Sequence, residues 1–305
     1  MSDSIEPGRS APASRGVRNV LLVWLSFLAY SFCHAPVPAV NEPHWLTKAR
    51  HYWQPEWCNQ DFFLESANTH LVFFQTIGSL TTVVSFESAA VAGRLLGYLL
   101  LAWGWTTLCR SASGSQETSV PAAWIYLLLA ATGNLSGEWM VSGIEGKVVA
   151  YACVFLGLPC LVEAQWVRAG ILLGIGTAVH PVVGGWALIA AVMAVVLSLL
   201  RKEERRTLPV LHVIRSPGFL AGAALLVLIS LSGIVPALRA VSGATREEMR
   251  IGNYLQVFHR LDHHLDPMQF DAWRYAMYGL LAAVACWLIR SGDRRPQILW
   301  LGRLV

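Results

Sequence analysis

The sequence predicts an all-α fold: a polytopic transmembrane helical bundle of roughly eight spans, with short amphipathic helices in its first extracytoplasmic loop. Three observations carry that reading. Of the 305 residues 55% are hydrophobic and the mean hydropathy is +0.48, too apolar for a soluble domain of this length. Several apolar runs approach or exceed the roughly 18 to 20 residues that cross a bilayer as a helix. The basic residues fall in short clusters between those runs and the formal net charge is only +4. Such clusters are orientation signals rather than a nucleic-acid surface, so membrane lipids and not nucleic acid are the expected surroundings.

Residues 1–19 are polar and rich in Ser, Pro, Gly and Ala, and read as a disordered cytoplasmic N-terminus. Arg9, Arg15 and Arg18 precede the first apolar run. That run is longer than a signal-peptide core and leads into Pro36 and Pro38 rather than a small-residue cleavage site, so it reads as a retained signal anchor. The membrane domain then covers residues 20–290. Its first span, residues 17–34, ends at the prolines, which lack the donor a helix interior needs.

Residues 41–70 form the first outer loop and concentrate the polar chemistry of the chain: Glu42, Glu56, Asp61, Glu65, His44, His51 and His70 among Trp45, Trp53 and Trp57. Pro43 suits the first turn of a helix. His44, Thr47, Lys48 and His51 then share one face, and Trp45, Ala49, Tyr52 and Trp53 the other, the pattern of a short helix lying in the interface plane. Residues 71–109 are apolar apart from Glu87 and Arg94, and read as a re-entrant or buried helix followed by a span, or as one bent span. A charge inside the membrane faces a cavity or a partner, for which Glu87 is the nearby candidate.

Residues 111–119 read as a cytoplasmic loop and residues 120–132 as a short apolar helix. Residues 133–147, with Glu138, Glu145 and Lys147, return to the outer face, and residues 148–162 go back in. Residues 169–200 hold about two spans with a hairpin at His180-Pro181 and Gly184-Gly185. The cluster at 201–206 is the strongest cytoplasmic signal, residues 219–238 cross outward, and residues 240–272 form the last outer loop. Residues 273–289 cross inward, and residues 291–305 read as a basic cytoplasmic tail of a truncated or minimal chain. This parity predicts a multi-pass protein of the inner, or plasma, membrane with a cytoplasmic N-terminus, and gathers the polar loops on the outer face.

The six cysteines form no CxxC pair and sit mostly in or beside apolar runs, which argues against a structural zinc or disulfide framework. No P-loop, GxGxxG, GxSxG or HExxH is present, so soluble nucleotide chemistry is not visible. The candidate chemistry lies in the outer loops. Glu42 and Asp61 are carboxylates able to take a proton or hold a divalent cation, although acids in first turns also serve as caps. In residues 136–147 glycines flank Glu138 and Glu145, so backbone can approach a ligand; Glu145 and Lys147, two apart, would not face each other on a helix. In residues 259–267, Arg260, His263 and His264 can meet a phosphate, with no zinc spacing. A lone histidine at a proline break, as at His180, is more often a structural residue than a functional one.

The blocks NEPHWLTKAR, WCNQDFFLES with His70, GEWMVSGIEGKVVAY, AVHPVVGGW and RLDHHLDP resemble those of an uncharacterised family of bacterial polytopic membrane proteins. More distantly, a span that ends in an acidic position, an aromatic helix and a second acid is similar to integral-membrane glycosyltransferases of the GT-C class. That resemblance implies transfer of a sugar from a polyprenyl-phosphate donor at the extracytoplasmic face, with a first-loop acid as catalytic or metal-binding residue. It places Glu42 in the catalytic role with Asp61 in support, and His44, Lys48, His70, Glu138, Glu145, Lys147, His180, Arg260, His263 and His264 around the substrate. The leading acid of the GT-C pair is Asn41 here, and GT-C enzymes usually have more spans and a C-terminal domain. The residues leave two other classes open. A transporter would line a path through the membrane with charges such as Arg94 and Glu87; a non-catalytic membrane assembly protein would use the outer loops as partner surfaces.

Overall fold

A computed structural model describes residues 12–39, 41–133, 139–200 and 213–291. Among these residues every regular element is helical and none is a strand. The order is α1 (Pro12–His34), α2 (Glu42–Trp53), α3 (Phe62–Glu65), α4 (Leu71–Gln75), a 3₁₀ segment (Ile77–Thr82), α5 (Phe86–Ser113) and α6 (Ser119–Gly133). Then come α7 (Gly146–Val162), α8 (Trp166–Val179), α9 (Pro181–Leu200), α10 (Pro217–Arg239), α11 (Arg246–Leu255), α12 (Asp262–Leu265) and α13 (Ala272–Ser291).

Among the described residues two stretches are long and apolar enough to cross a membrane, Arg15–His34 in α1 and Pro217–Arg239, which is α10. Shorter apolar helices occupy Ser119–Thr132, Gly146–Val162, Trp166–Val179 and Pro181–Ala194. The long helices form a row: α1 packs on α5, α5 on α7, α7 on α8, and α8 on α10, with α6 against α1 and α5 and α9 against α8 and α7. Phe27, Leu46, Phe73, Phe74, Tyr98, Leu101 and Ile144 fill the core where α1, α2, α5 and α7 meet. Leu25, Leu96, Trp124, Leu128, Trp186 and Leu228 point outward and are exposed, a surface that suits hydrocarbon better than water.

Alternating helix direction brings the C-terminus of α1, all of α2, the N-terminus of α7 and the α8–α9 junction to one end of the bundle, where the polar loops converge. Several expectations change in detail. Helix α1 begins at Pro12, inside the stretch expected to be disordered, because the arginines and small residues there are compatible with helix. Residues 71–109 resolve into α4, the 3₁₀ segment and the long α5. The break in residues 169–200 falls at His180 alone, since Pro181 starts α9, and Gly184 and Gly185 lie inside that helix. The last loop contains a regular helix, α11, opened by a capping box in which Thr245 and Glu248 satisfy each other's backbone N–H. Residues 1–11, Glu138, the cluster at 201–206 and residues 292–305 lie outside the described residues.

Candidate functional site

Helix α2 does not lie free on a surface. Its first turn is inserted into the end of the bundle, and Glu42, Leu46, Lys48 and Ala49 are buried. Glu42 forms an ion pair with Arg94 of α5, and both side chains are fully buried. Its Oε1 accepts from Arg94 Nε at 2.8 Å and from the Ile144 N–H at 2.6 Å. Its Oε2 accepts from Arg94 Nη2 at 2.6 Å and from the Ala39 N–H at 2.8 Å. Arg94 spends its remaining donors on the Pro36 carbonyl at 2.7 Å, the Ala35 carbonyl at 3.1 Å and the Ser31 hydroxyl at 3.3 Å. Every lone pair and proton of the pair is used, which is what makes a buried charge pair tolerable. This corrects two expectations. The partner of Arg94 is Glu42 and not Glu87, which sits exposed two turns away at the start of α5. And Glu42 lines neither the cavity that Glu145 borders nor the one that Asp61 borders, because the bundle end closes over it.

The same network grips residues 142–144. The Tyr98 hydroxyl donates to the Gly143 carbonyl at 3.0 Å and accepts from the Ser142 N–H at 2.9 Å, and the Ser31 hydroxyl donates to the Ser142 carbonyl. The chain leaves this grip extended at Glu145, the N-cap position of α7, with φ −152° and ψ 173°. That extended residue explains why Glu145 and Lys147 meet after all: only Lys147 is helical, and the two form an ion pair at 2.7 Å. The other Glu145 oxygen accepts from Trp45 Nε1 at 2.8 Å and from Asn41 Nδ2 at 3.2 Å, respectively a residue in the first turns of α2 and the N-cap of that helix. Lys147 also sits 4.0 Å over the ring of Trp139, a cation–π contact.

Asn41, Trp45, Glu145, Lys147, His180 and His264 line the polar end of a cavity of about 600 Å³. Its remaining wall is apolar, from Tyr151, Val154, Phe155 and Leu158 of α7 and Val183, Trp186, Ala187 and Ala190 of α9. His180 is at once a wall residue and the cap of α9, its Nδ1 accepting from the Val183 N–H at 3.3 Å. His70 lies behind Trp45, with ring centroids 4.4 Å apart, and 5.2 Å from the ring of His180. Burial pushes the His70 imidazole below its ordinary pKa, against a hydrogen bond to the Val179 carbonyl and the nearby Glu145 charge.

The other expected site residues lie elsewhere. Lys48 was placed on a polar outer face; instead it is buried, and its ammonium donates to the carbonyls of Phe63 at 2.7 Å and Ser66 at 2.9 Å and to the Ser66 hydroxyl at 2.7 Å. Burial lowers its pKa, with Asp61 opposing the shift. Its job is to tie α3 to α2. Asp61 caps α3 by accepting from the Leu64 N–H at 2.9 Å. Asp61, His44 and Arg260 share a second, shallower cavity of about 500 Å³ beside Trp57 and Phe63, on the other side of α2. His263 is exposed next to Asp262, its ring centroid 4.1 Å from that of His264 with the two planes tilted by 43°.

The structure therefore joins Glu145, Lys147, His180 and His264, brings His70 up behind them, and separates Glu42, Asp61, Lys48 and Arg260 from them. Asn41 and Trp45 stand four apart, but only the structure shows that both hold the Glu145 carboxylate. Nothing in the local sequence marks Trp139 or Tyr151. Among the described residues no three His, Cys, Asp or Glu side chains gather into a metal-binding group. No family model matches the chain, and neither a curated protein nor a solved structure is significantly similar to it.

Proposed function

We propose that this chain is a multi-pass transferase of the inner membrane, of roughly eight spans, that moves a sugar from a polyprenyl-phosphate donor at the extracytoplasmic face, as its resemblance to GT-C enzymes implies. The observation that supports this most is the build of the larger cavity. A carboxylate and an ammonium meet at its polar end, and an apolar wall from α7 and α9 continues from them. A phosphate on a hydrocarbon chain has that same division. The position of Glu145 in that cavity, together with the burial of Glu42, moves the catalytic acid of this reading to Glu145.

In this reading the donor phosphate draws Lys147 away from Glu145. The freed carboxylate, held by Asn41 and Trp45, takes the proton of an acceptor hydroxyl as that oxygen attacks the anomeric carbon. The bond from that carbon to the phosphate oxygen breaks, and polyprenyl phosphate leaves with the negative charge Lys147 offsets. The positive charge at the site comes from Lys147; Asp61 and Arg260, across α2, are left to the acceptor side. The buried charges weigh against a transport path, since Arg94 and Glu42 are sealed against each other.

The test uses purified full-length protein. Polyprenyl phosphate is expected to raise the thermal unfolding midpoint, because a ligand bound only by the folded state stabilises it. The uncharged polyprenol should do less, and Lys147→Ala should remove the difference between them. With a lipid-linked sugar as donor, Glu145→Gln should cut transfer about 100-fold or more, the scale for loss of a general base. Equal shifts with phosphate and alcohol, or full transfer by Glu145→Gln, would overturn the reading.

A further inference from the structure

We infer that Glu42 and Arg94 are positioning residues for the Glu145–Lys147 pair: through the backbone of residues 142–144 they set where the pair stands in the cavity. Three observations carry this. First, Glu42 reaches two elements at once. It is fixed by Arg94 on α5 and in turn holds the Ile144 N–H, one residue before Glu145. Second, the grip on this short segment is redundant and all buried. Tyr98 takes the Ser142 N–H and the Gly143 carbonyl, and Ser31, itself bonded to Arg94, takes the Ser142 carbonyl. The bends and irregular chain of residues 139–145 ahead of α7 belong to no regular secondary structure, so this grip is what fixes their height. Third, α2 carries both ends of the arrangement. Glu42 points into the bundle while Asn41 and Trp45 on the same first turns hold the Glu145 carboxylate. Loss of the grip would thus move Glu145 relative to its own donors.

The close fit of Gly143 makes the coupling direct. A Cβ there would stand 2.8 Å from the Glu42 carboxyl carbon and 3.0 Å from the Ala39 carbonyl oxygen, so any side chain must push the segment off Glu42.

The experiment follows the reactivity of individual lysines, and the chain has three: Lys48, Lys147 and Lys202. Full-length protein in detergent is acetylated with an amine-reactive ester, and the rate at each lysine is read by peptide mass spectrometry. Lys147 is held by Glu145, and Lys48 is equally buried but held by carbonyls of residues 63–66, with no bond to the Glu42 network. Lys48 therefore reports general loosening, and Lys147 reports the site. Glu42→Gln should raise the Lys147 rate roughly tenfold, the factor expected from loss of one charge-assisted hydrogen bond, and leave Lys48 unchanged. Gly143→Ala, which keeps both charges, should give the same selective rise, and Glu145→Gln sets the ceiling. An unchanged Lys147 rate overturns the inference, and so does a parallel rise at Lys48, which would make the pair general scaffolding. If Glu42→Gln does not accumulate as folded protein, Gly143→Ala decides by the same two criteria. No substrate enters the assay, so its outcome is independent of the transferase reading.

Discussion

At the scale of single residues, the site is a set of charges whose surroundings differ sharply. Glu42 and Glu145 both belong to loops expected at one face, but the first is closed in with Arg94 and the second opens on a cavity with Lys147. Removing one partner of a buried pair leaves the other uncompensated, at about 3–5 kcal/mol, so Arg94 is as constrained as the acid it holds. His70 supplies a test that depends on pH. Burial holds it neutral in the folded protein below the ordinary value of 6.5, whereas the unfolded chain protonates it there. The unfolded state then binds more protons, so stability falls as pH drops through and below that value. The thermal midpoint should decrease from pH 7 to pH 5.5, and His70→Gln should flatten that decrease. An identical decrease in the variant would mean that other groups carry it.

Among elements, the tightest contact is between α8 and α10. A Cβ on Gly222 would stand 2.3 Å from the Trp166 carbonyl oxygen, and one on Gly233 2.1 Å from the Ala178 carbonyl oxygen. Backbone meets backbone at both ends of the interface, and that is possible only where side chains are absent. Gly233→Val cannot be absorbed by a rotamer change, because the obstacle is main chain. It should cost at least the 1–3 kcal/mol typical of overpacking and lower the midpoint of thermal unfolding in detergent. Gly252→Ala, at a position with nothing within 4 Å, should be neutral or stabilise the exposed α11 slightly. Comparable midpoints for the two variants would refute the packing account. Because α8 ends at Val179 beside the site, its seating on α10 also fixes His180.

For the whole molecule, the question is which side of the membrane the polar end faces. By the positive-inside rule, Arg9, Arg15 and Arg18 ahead of the first apolar run and the cluster at 201–206 lead to the prediction that this end lies outside the cytoplasm. Cys58 is exposed in the loop between α2 and α3, on the wall of the second cavity, and gives a direct readout. A membrane-impermeant maleimide should label it in intact spheroplasts as fast as after lysis. Labelling only after lysis, with an accessible outer control labelled beforehand, would reverse the topology and with it the lipid-linked donor.

The sequence by itself determined the helical class, the apolar stretches, the breaks at Pro36, Pro38 and Pro181 and the polar segments that meet at one end. These follow from hydropathy and from the missing donor of proline, which act locally. It also singled out Glu145, Lys147 and His264 in polar outer loops and His180 at a proline break as candidate site residues. What it did not contain was their pairing. Arg94 meets an acid 52 residues away rather than one seven away on its own helix, and Glu145 meets Asn41 across 104 residues. Periodicity tells which face of a helix is apolar but not which distant group will share its dehydration. Likewise the Glu145–Lys147 pair needed an extended residue before α7, which the grip on residues 142–144 imposes. The choice of which acid is sealed and which faces the cavity was left to the tertiary structure, because burial of a charge depends on how many donors the fold can bring to it.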